Sequence, residues 1–217
     1  MAYTGEVTPG GPAAVRELAA LRIDKVSVGP MDNNAYLLEC STTRKRCLVD
    51  AANDAEVLLA LVGDRPLQQV VTTHRHPDHW QALGTVVEAT GARTAAGRED
   101  VAGIPVPTDA PLDDGDTVQV GDVRLEVIRL VGHTPGSVAL LYDDPAGHPH
   151  LFTGDSLFPG GVGKTSGPKA FSSLLDDVSR KVFDRLPDDT WFYPGHGKDS
   201  SLGAERPSLP EWRARGW

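Results

Sequence analysis

The sequence is short of several features that would assign a protein to a class at once. Only two of its 217 residues are cysteine and 6% are aromatic, so a disulfide-stapled scaffold is not expected. No apolar run approaches the ~20 residues that span a bilayer, and the amino terminus has neither a basic start nor an apolar stretch. We therefore expect a cytoplasmic protein with no signal peptide and no membrane association.

An excess of positive charge is also absent. The chain has 21 Lys and Arg against 30 Asp and Glu, which gives a formal net charge of −9. Nucleic-acid-binding proteins usually present a basic face, so we expect a small-molecule substrate and no nucleic-acid partner. The length and composition predict one globular domain over residues 1–217, with the Gly-, Pro- and Ala-rich residues 1–20 as a loosely packed arm. They leave the oligomeric state open.

What the sequence does have is a dense cluster of histidines behind an apolar segment. Residues 73–80 read Thr-His-Arg-His-Pro-Asp-His-Trp, and residues 68–73, which include four β-branched side chains, predict a buried strand that ends at this cluster. Neutral imidazole nitrogens and carboxylate oxygens suit zinc, iron or manganese. We interpret residues 74–79 as a metal-ligating loop rather than a solvated loop that happens to be rich in histidine.

Three further apolar segments end at glycine-flanked turns that carry a single His or Asp. The turns read Gly-His-Thr-Pro-Gly-Ser at 132–137, Gly-Asp-Ser-Leu-Phe at 154–158 and Pro-Gly-His-Gly at 194–197. Glycine permits a tight turn and a close approach of the backbone to an ion. Five of the seven histidines lie in these turns or in the 74–79 loop, a concentration that core packing does not explain.

These motifs resemble those of the metallo-β-lactamase superfamily, and within it the glyoxalase II-like (hydroxyacylglutathione hydrolase-like) hydrolases. The resemblance implies an α/β (α+β) fold, a four-layer αββα sandwich with a binuclear metal site at one edge of its two sheets. It assigns seven ligands: His74, His76 and His133 to one metal, Asp78, His79 and His196 to the second, and Asp155 as the bridge between them. Many metallo-β-lactamases use a cysteine at the second site, where this chain offers Asp155.

The same resemblance implies two divalent metal ions, zinc before iron or manganese, that share one water. Two cations lower the pKa of such a water to roughly neutral, and the bridging hydroxide then attacks the carbonyl of a thioester or ester. On this interpretation Asp78, His79 and Asp155 are catalytic as well as metal-ligating residues. The metal-dependent hydrolase would act on a small, anionic substrate.

Two further residues match positions of known role in the family. Asp50 matches an acid behind the ligands that orients their loops, although it could equally open the turn before the next helix. Lys164 lies nine residues after Asp155, where glyoxalase II-like enzymes carry a lysine that holds the substrate carboxylate. The alternative for Lys164 is an ordinary surface lysine.

Two departures from the family pattern limit the functional expectation. Ser166 stands where the family has a substrate-contacting tyrosine, and only about twenty residues follow the turn at 194–197, where the family has a C-terminal helical domain. We therefore expect hydrolysis of a thioester or ester on a different carrier. A mononuclear-iron persulfide dioxygenase of the same fold is the alternative, and a non-catalytic metal-stabilised binding domain is a further one.

The remaining expectations concern local structure. His148 and His150 flank a proline in a predicted turn, so we expect both to be exposed hairpin residues. Cys40 and Cys47 flank a predicted hairpin turn and are expected to be small buried thiols, with a disulfide as the alternative. Hydrophobic periodicity predicts strands near 22–28, 35–40 and 46–50, and helices near 54–62, 80–89 and 168–186.

Overall fold

A computed structural model describes residues 3–216, and the account of the structure is confined to them. A first sheet has seven strands in chain order. They are Ala14–Glu17 (β1), Leu21–Val28 (β2), Asn33–Cys40 (β3), Arg46–Val49 (β4), Gln69–Thr72 (β5), Arg93–Gly97 (β6) and Ala110–Leu112 (β7). Strands β1 to β4 pair antiparallel, whereas β4 to β7 pair parallel.

A second sheet of six strands and a small hairpin follow along the chain. The strands are Thr117–Val120 (β8), Val123–Arg129 (β9), Val138–Tyr142 (β10), His150–Gly154 (β11), Leu157–Phe158 (β12), Gly161–Val162 (β13), Trp191–Pro194 (β14) and Ser200–Ser201 (β15). The order in the sheet is β15-β14-β11-β10-β9-β8, and β12 pairs with β13 outside it. Strands β11 and β14 are parallel neighbours.

Five α-helices within residues 3–216 cover the sheets. They are Ala55–Val62 (α1), Leu83–Thr90 (α2), Pro168–Val178 (α3), Leu202–Glu205 (α4) and Leu209–Arg215 (α5). A π-helical turn, Ser179–Phe183, continues α3, so the predicted helix near 168–186 is present but changes its hydrogen-bonding pattern after Val178. The other predicted strands and helices lie within a few residues of the observed ones.

The buried side chains form three layers of core, which is what a four-layer sandwich requires. Between the sheets, Ile23 and Leu38 of the first sheet pack in one cluster with Leu140 and Phe152 of the second. Outside the first sheet, residues such as Leu58 pack against its other face. A third cluster lies between the second sheet, α3 and α5. The predicted αββα sandwich is confirmed.

Two local features differ from the sequence expectations. The expectation for His150 is wrong, because it lies on β11 with no exposed surface and its Nδ1 lies 2.9 Å from the hydroxyl of Tyr193. His148 is half-buried. Within the predicted arm, Ala14–Glu17 form β1 and pair with β2, so this part of the arm is an edge strand.

Cys40 and Cys47 are both buried and unpaired, in agreement with the thiol interpretation. Trp212 is buried in the third core cluster, whereas Met1, Ala2 and Trp217 lie outside the described residues. No helix within residues 3–216 is long and apolar enough to cross a membrane.

Candidate metal centre

The two sheets together deliver the predicted ligands to one place. His74 follows β5 of the first sheet, whereas His133, Asp155 and His196 follow β9, β11 and β14 of the second. These strands of the second sheet run in one direction, because β9 and β11 are each antiparallel to β10 and β14 is parallel to β11. Their carboxyl ends therefore meet at one edge, where loops usually carry functional groups.

The first ligand group contains three imidazoles whose nitrogens converge. The Nδ1 atom of His76 lies 3.0 Å from Nε2 of His74 and 2.9 Å from Nε2 of His133. The Nε2 atoms of His74 and His133 are 3.2 Å apart. The three nitrogens thus form a small triangle at the mouth of the loops.

Hydrogen bonds on the far side of the rings orient this group. His133 donates from Nδ1 to the carbonyl oxygen of Lys164 at 2.7 Å. The hydroxyl of Thr73 donates to Asp50 at 2.8 Å, so its oxygen accepts from Nδ1 of His74 at 3.1 Å. In both rings Nε2 is then left as a lone pair that faces the centre, the arrangement that metal-ligating histidines show.

The second ligand group contains Asp78, His79 and His196. Oδ2 of Asp78 lies 3.2 Å from Nε2 of His196 and 3.5 Å from Nε2 of His79, and the two Nε2 atoms are 3.2 Å apart. Pro77–His79 form a single 3-10 turn, which places Asp78 and His79 beside each other. His196 donates from Nδ1 to the carbonyl oxygen of Met31 at 2.9 Å.

Asp155 lies between the two groups. Its Oδ2 is 3.6 Å from Nε2 of His133 in the first group and 3.5 Å from Nε2 of His196 in the second. Its Oδ1 lies 3.4 Å from Nε2 of His79. A Cβ atom on Gly195 would overlap Oδ1 of Asp155, so glycine at that position is needed for the carboxylate to reach the centre.

Asp50 lies directly behind the ligands. Its Oδ1 accepts from the backbone N–H of Thr73 at 2.7 Å, and its Oδ2 lies 2.8 Å from Nδ1 of His79. Its backbone has φ +59°, a left-handed conformation that a non-glycine residue adopts at a cost and that clusters at functional sites. The contacts favour the ligand-orienting interpretation over a simple turn-opening one.

The charges of the two groups differ. Burial and the neighbouring imidazole of His79 lower the pKa of His74 well below its usual range, which keeps that ring neutral. Burial alone would lower the pKa of His79 as well, but the carboxylates of Asp50 and Asp155 outweigh it and raise the pKa to about 10. Against the same effect of burial, Asp155 and Asp78 raise the pKa of His196 to about 10. The carboxylates around the second group thus stabilise positive charge on or between its imidazole rings.

This donor set fits divalent transition metals. The lone pairs of His74 and His133 lie 3.2 Å apart and repel each other unless a cation lies between them, and nitrogens bound tetrahedrally at 2.0–2.1 Å are separated by roughly that distance. Three carboxylates surround the two imidazoles of the second group, and a bound cation would displace the protons that these rings otherwise hold. The ligand atoms fall into three sets, each within 4.8 Å: His74, His76 and His133; His74, His79 and Asp155; Asp78, His79 and His196.

The structure also contains supporting residues that sequence reasoning did not identify. Asn33 donates from Nδ2 to both the carbonyl oxygen and Oδ2 of Asp78, each at 3.0 Å. Asn34 donates to the carbonyl oxygens of Pro194 at 2.9 Å and Gly197 at 3.0 Å, on either side of His196. Two adjacent asparagines at the start of a buried strand are the signal that could have pointed to them, since buried amides need specific partners.

The substrate-binding role of Lys164 stays a prediction. The side chain of Lys164 is exposed, and its contact with the centre is through its carbonyl oxygen, which accepts from His133. A groove of about 490 Å³ opens beside the first ligand group, and Lys164 is not among its lining residues. The lysine that lines the groove is Lys169.

Comparisons with known proteins agree with this geometry. Residues 28–196 match the model of the family described as the metallo-beta-lactamase superfamily. A hydroxyacylglutathione hydrolase from Fuscovulum blasticum is 39% identical over 134 residues, which are 61% of this chain and 51% of that protein. The chain therefore spans about half the length of that relative.

Two solved structures are similar over most of both chains. The crystal structure of TTHA1623 in a di-iron-bound form has a TM-score of 0.73 and 32% identity, and covers 86% of this chain and 98% of that one. The structure of ETHE1 from Myxococcus xanthus has a TM-score of 0.75 and 28% identity, with coverage of 88% and 84%. The fold, the converging histidine and aspartate side chains and the family match lead to one conclusion: the chain belongs to the metallo-beta-lactamase superfamily.

Proposed function

We propose that the protein is a binuclear metal-dependent hydrolase that cleaves a thioester or ester of a small molecule. The observation that carries this proposal is the position of Asp155 within 3.6 Å of His133 and 3.5 Å of His196, which joins the two ligand groups into one site. Hydroxyacylglutathione hydrolases among the relatives support a thioester as the substrate. Zinc is the metal we favour, with iron and manganese as alternatives.

When bound, two divalent cations supply an activated water and withdraw electron density from a substrate carbonyl. The protein's own residues then orient the water and receive its proton. Oδ2 of Asp78 is held by Asn33 and faces His196, which leaves Oδ1 to accept a proton from the attacking water. Asp50 fixes His79, which also contacts Asp155. Asp78 and His79 therefore need no reorganisation as charge develops in the transition state.

The test is metal analysis combined with a substrate panel. We expect about two metal ions per chain and turnover of at least one thioester or ester, in a panel that also includes a lactone and a phosphodiester. His196→Ala should lose metal and activity together, whereas His148→Ala, a matched change away from the centre, should lose neither. Two ions per chain with no turnover of any substrate would instead support a metal-stabilised binding domain.

The alternative is an iron-dependent persulfide dioxygenase, and the similarity to ETHE1 favours it. That reaction uses one iron, whereas here the second group has three potential ligands with their own hydrogen-bond partners. One iron per chain with oxygen consumption on a glutathione persulfide would support the dioxygenase and contradict the hydrolase.

A further inference from the structure

The groove beside the first ligand group has a lining that selects for charge. It is bounded by the loop after β5, by the turn that carries His133 and by the start of α3, and its volume is about 490 Å³. His76 and His133 form the end nearest the metal centre. Side chains of Arg75, Lys169, Ser166 and Ser173 lie among the other lining residues. A ligand in this groove would therefore contact both the metal centre and two cationic side chains.

Among the residues that the structure describes, no acidic one lines the groove, although the chain as a whole has a formal net charge of −9. The nearby acid, Asp100, is fully buried and accepts hydrogen bonds from the backbone N–H of Arg75 at 3.0 Å, the hydroxyl of Thr134 at 2.5 Å and the backbone N–H of Gly136 at 2.9 Å. Because its oxygens are occupied, the carboxylate has little capacity left for the guanidinium of Arg75.

The two cations of the groove are available to a ligand. The Arg75 side chain is 45% exposed, and its Nε forms an ion pair with Oδ1 of Asp100 at 3.8 Å, which is too long for a hydrogen bond. Lys169 is exposed and makes no hydrogen bond or ion pair with another residue in the range 3–216. An arginine fork and a lysine ammonium are groups that bind carboxylates.

We propose that the groove binds a carboxylate of the substrate between Arg75 and Lys169, and that these two residues, rather than Lys164, give the enzyme its preference for anionic substrates. This rests on the proposed function and narrows the substrate class to acyl thioesters that carry a carboxylate. The carboxylate can belong to the thiol half or to the acyl half of the substrate, because the groove begins at the metal centre and either half can extend into it.

The experiment compares thioesters that differ by one carboxylate, with the metal-loaded full-length protein. For the thiol half, the pair is S-butyryl-N-acetylcysteine and S-butyryl-N-acetylcysteamine. For the acyl half, the pair is S-succinyl-N-acetylcysteamine and S-butyryl-N-acetylcysteamine. We expect the wild type to prefer the anionic member of one pair by at least about tenfold in kcat/KM, and to lose part of that preference at high salt.

A charge reversal at Lys169 and a charge removal at Arg75 locate the residues responsible. Lys169→Glu and Arg75→Gln should each lower kcat/KM for the anionic substrate about tenfold more than for the neutral substrate, mainly through KM. Lys45→Glu is a matched reversal at an exposed lysine away from the groove and should preserve the preference. If Lys164→Glu abolishes the preference and Lys169→Glu does not, the assignment to this groove is overturned.

A binding measurement separates failure of this proposal from failure of the proposed reaction. The probes are the unreactive thioethers S-propyl-N-acetylcysteine and S-propyl-N-acetylcysteamine, titrated by calorimetry into the wild type and Lys169→Glu. Selective binding of the anionic thioether, lost in Lys169→Glu, without turnover of any thioester would contradict the reaction alone. Turnover of thioesters with no preference for the anionic member of either pair would contradict the groove assignment alone.

Discussion

Two buried clusters of ionisable side chains lie close together in this molecule, and they differ in how their charges are balanced. In the first, Lys25 and Asp199 have fully buried side chains joined at 2.6 Å. Lys25 also donates to the carbonyl oxygens of Gly5 at 2.9 Å and Gly197 at 2.8 Å, so each of its three N–H groups has a partner. Asp199 also accepts from Tyr3 and Trp191. This cluster is complete within the protein.

The metal centre is not complete in the same sense. The Nε2 lone pairs of His74 and His133 face each other at 3.2 Å, and Oδ1 of Asp155 is buried without a hydrogen bond. Burying polar groups without partners is costly. The comparison shows two arrangements. The ion pair of Lys25 and Asp199 is satisfied within the protein, whereas the histidine and aspartate cluster is arranged to bind a cation.

The largest effect is expected from Asp155→Asn in the metal centre. Loss of one carboxylate that faces both groups should lower metal content below two per chain. We expect kcat/KM on a thioester substrate to fall at least about 1,000-fold, or about 4 kcal/mol. Elemental analysis and steady-state kinetics measure both effects, with Asp189→Asn at an exposed position as control. If Asp155→Asn keeps two metals per chain and full activity, Asp155 does not bridge the two metal sites.

The next largest effect is expected from Lys25→Met in the cluster of Lys25 and Asp199. This change leaves the Asp199 carboxylate buried without its cation, and we expect a loss of about 3 kcal/mol in the free energy of unfolding. Urea denaturation of the metal-free protein measures it. The double variant Lys25→Met/Asp199→Leu should recover part of the loss, since a buried pair can be replaced by apolar side chains. A single variant as stable as the wild type would contradict the comparison.

Metal removal should produce an effect that, for each single ion, is slightly smaller than that of Lys25→Met. A ligand present at about 100 times its Kd stabilises the native state by about 2.7 kcal/mol for one site, so chelation should lower the free energy of unfolding by about that amount per ion. Lys25→Met should show a similar metal-dependent increment if the two clusters are independent. Denaturation with and without chelator tests this, and an unchanged midpoint in the wild type would show that the centre binds no metal in the native state.

The smallest expected effect is that of Asp50→Asn. The variant keeps the shape of the side chain but removes the charge that faces Nδ1 of His79. Substitution of such an outer partner typically weakens metal binding about 10- to 100-fold. Competition titration with a chromophoric chelator measures the affinity of the second site. If the affinity is unchanged, Asp50 serves only the backbone turn at Thr73.

The sequence predicts the metal centre better than its surroundings, for a physical reason. His74, His133, Asp155 and His196 each follow an apolar segment, so the rule that strand ends share an edge brings them together without knowledge of the rest of the fold. The outer strand β1 was not predicted, because it has four residues with half-buried and exposed side chains in alternation and lies among prolines and glycines.

The side chains around the centre depend on contacts distant in sequence. His150 is buried because Tyr193 of the neighbouring strand lies beside it, and nothing in the turn before it indicates that partner. Lys169 lines the groove because α3 packs beside the His133 turn, and nothing in the sequence near Lys169 indicates that neighbour. A spacing rule places a residue along the chain, but only tertiary packing determines which way its side chain points.

The origin of the ligands on both sheets has a consequence for how the protein reaches its native state. His74 comes from the first sheet and His196 from almost the end of the chain, so a tight site cannot exist until the two sheets have packed. Contacts so distant in sequence form late and slowly. A chromophoric ion such as cobalt, added during refolding, should therefore acquire its protein-bound spectrum only in the last kinetic phase. Its absorbance would then report when the two sheets have packed.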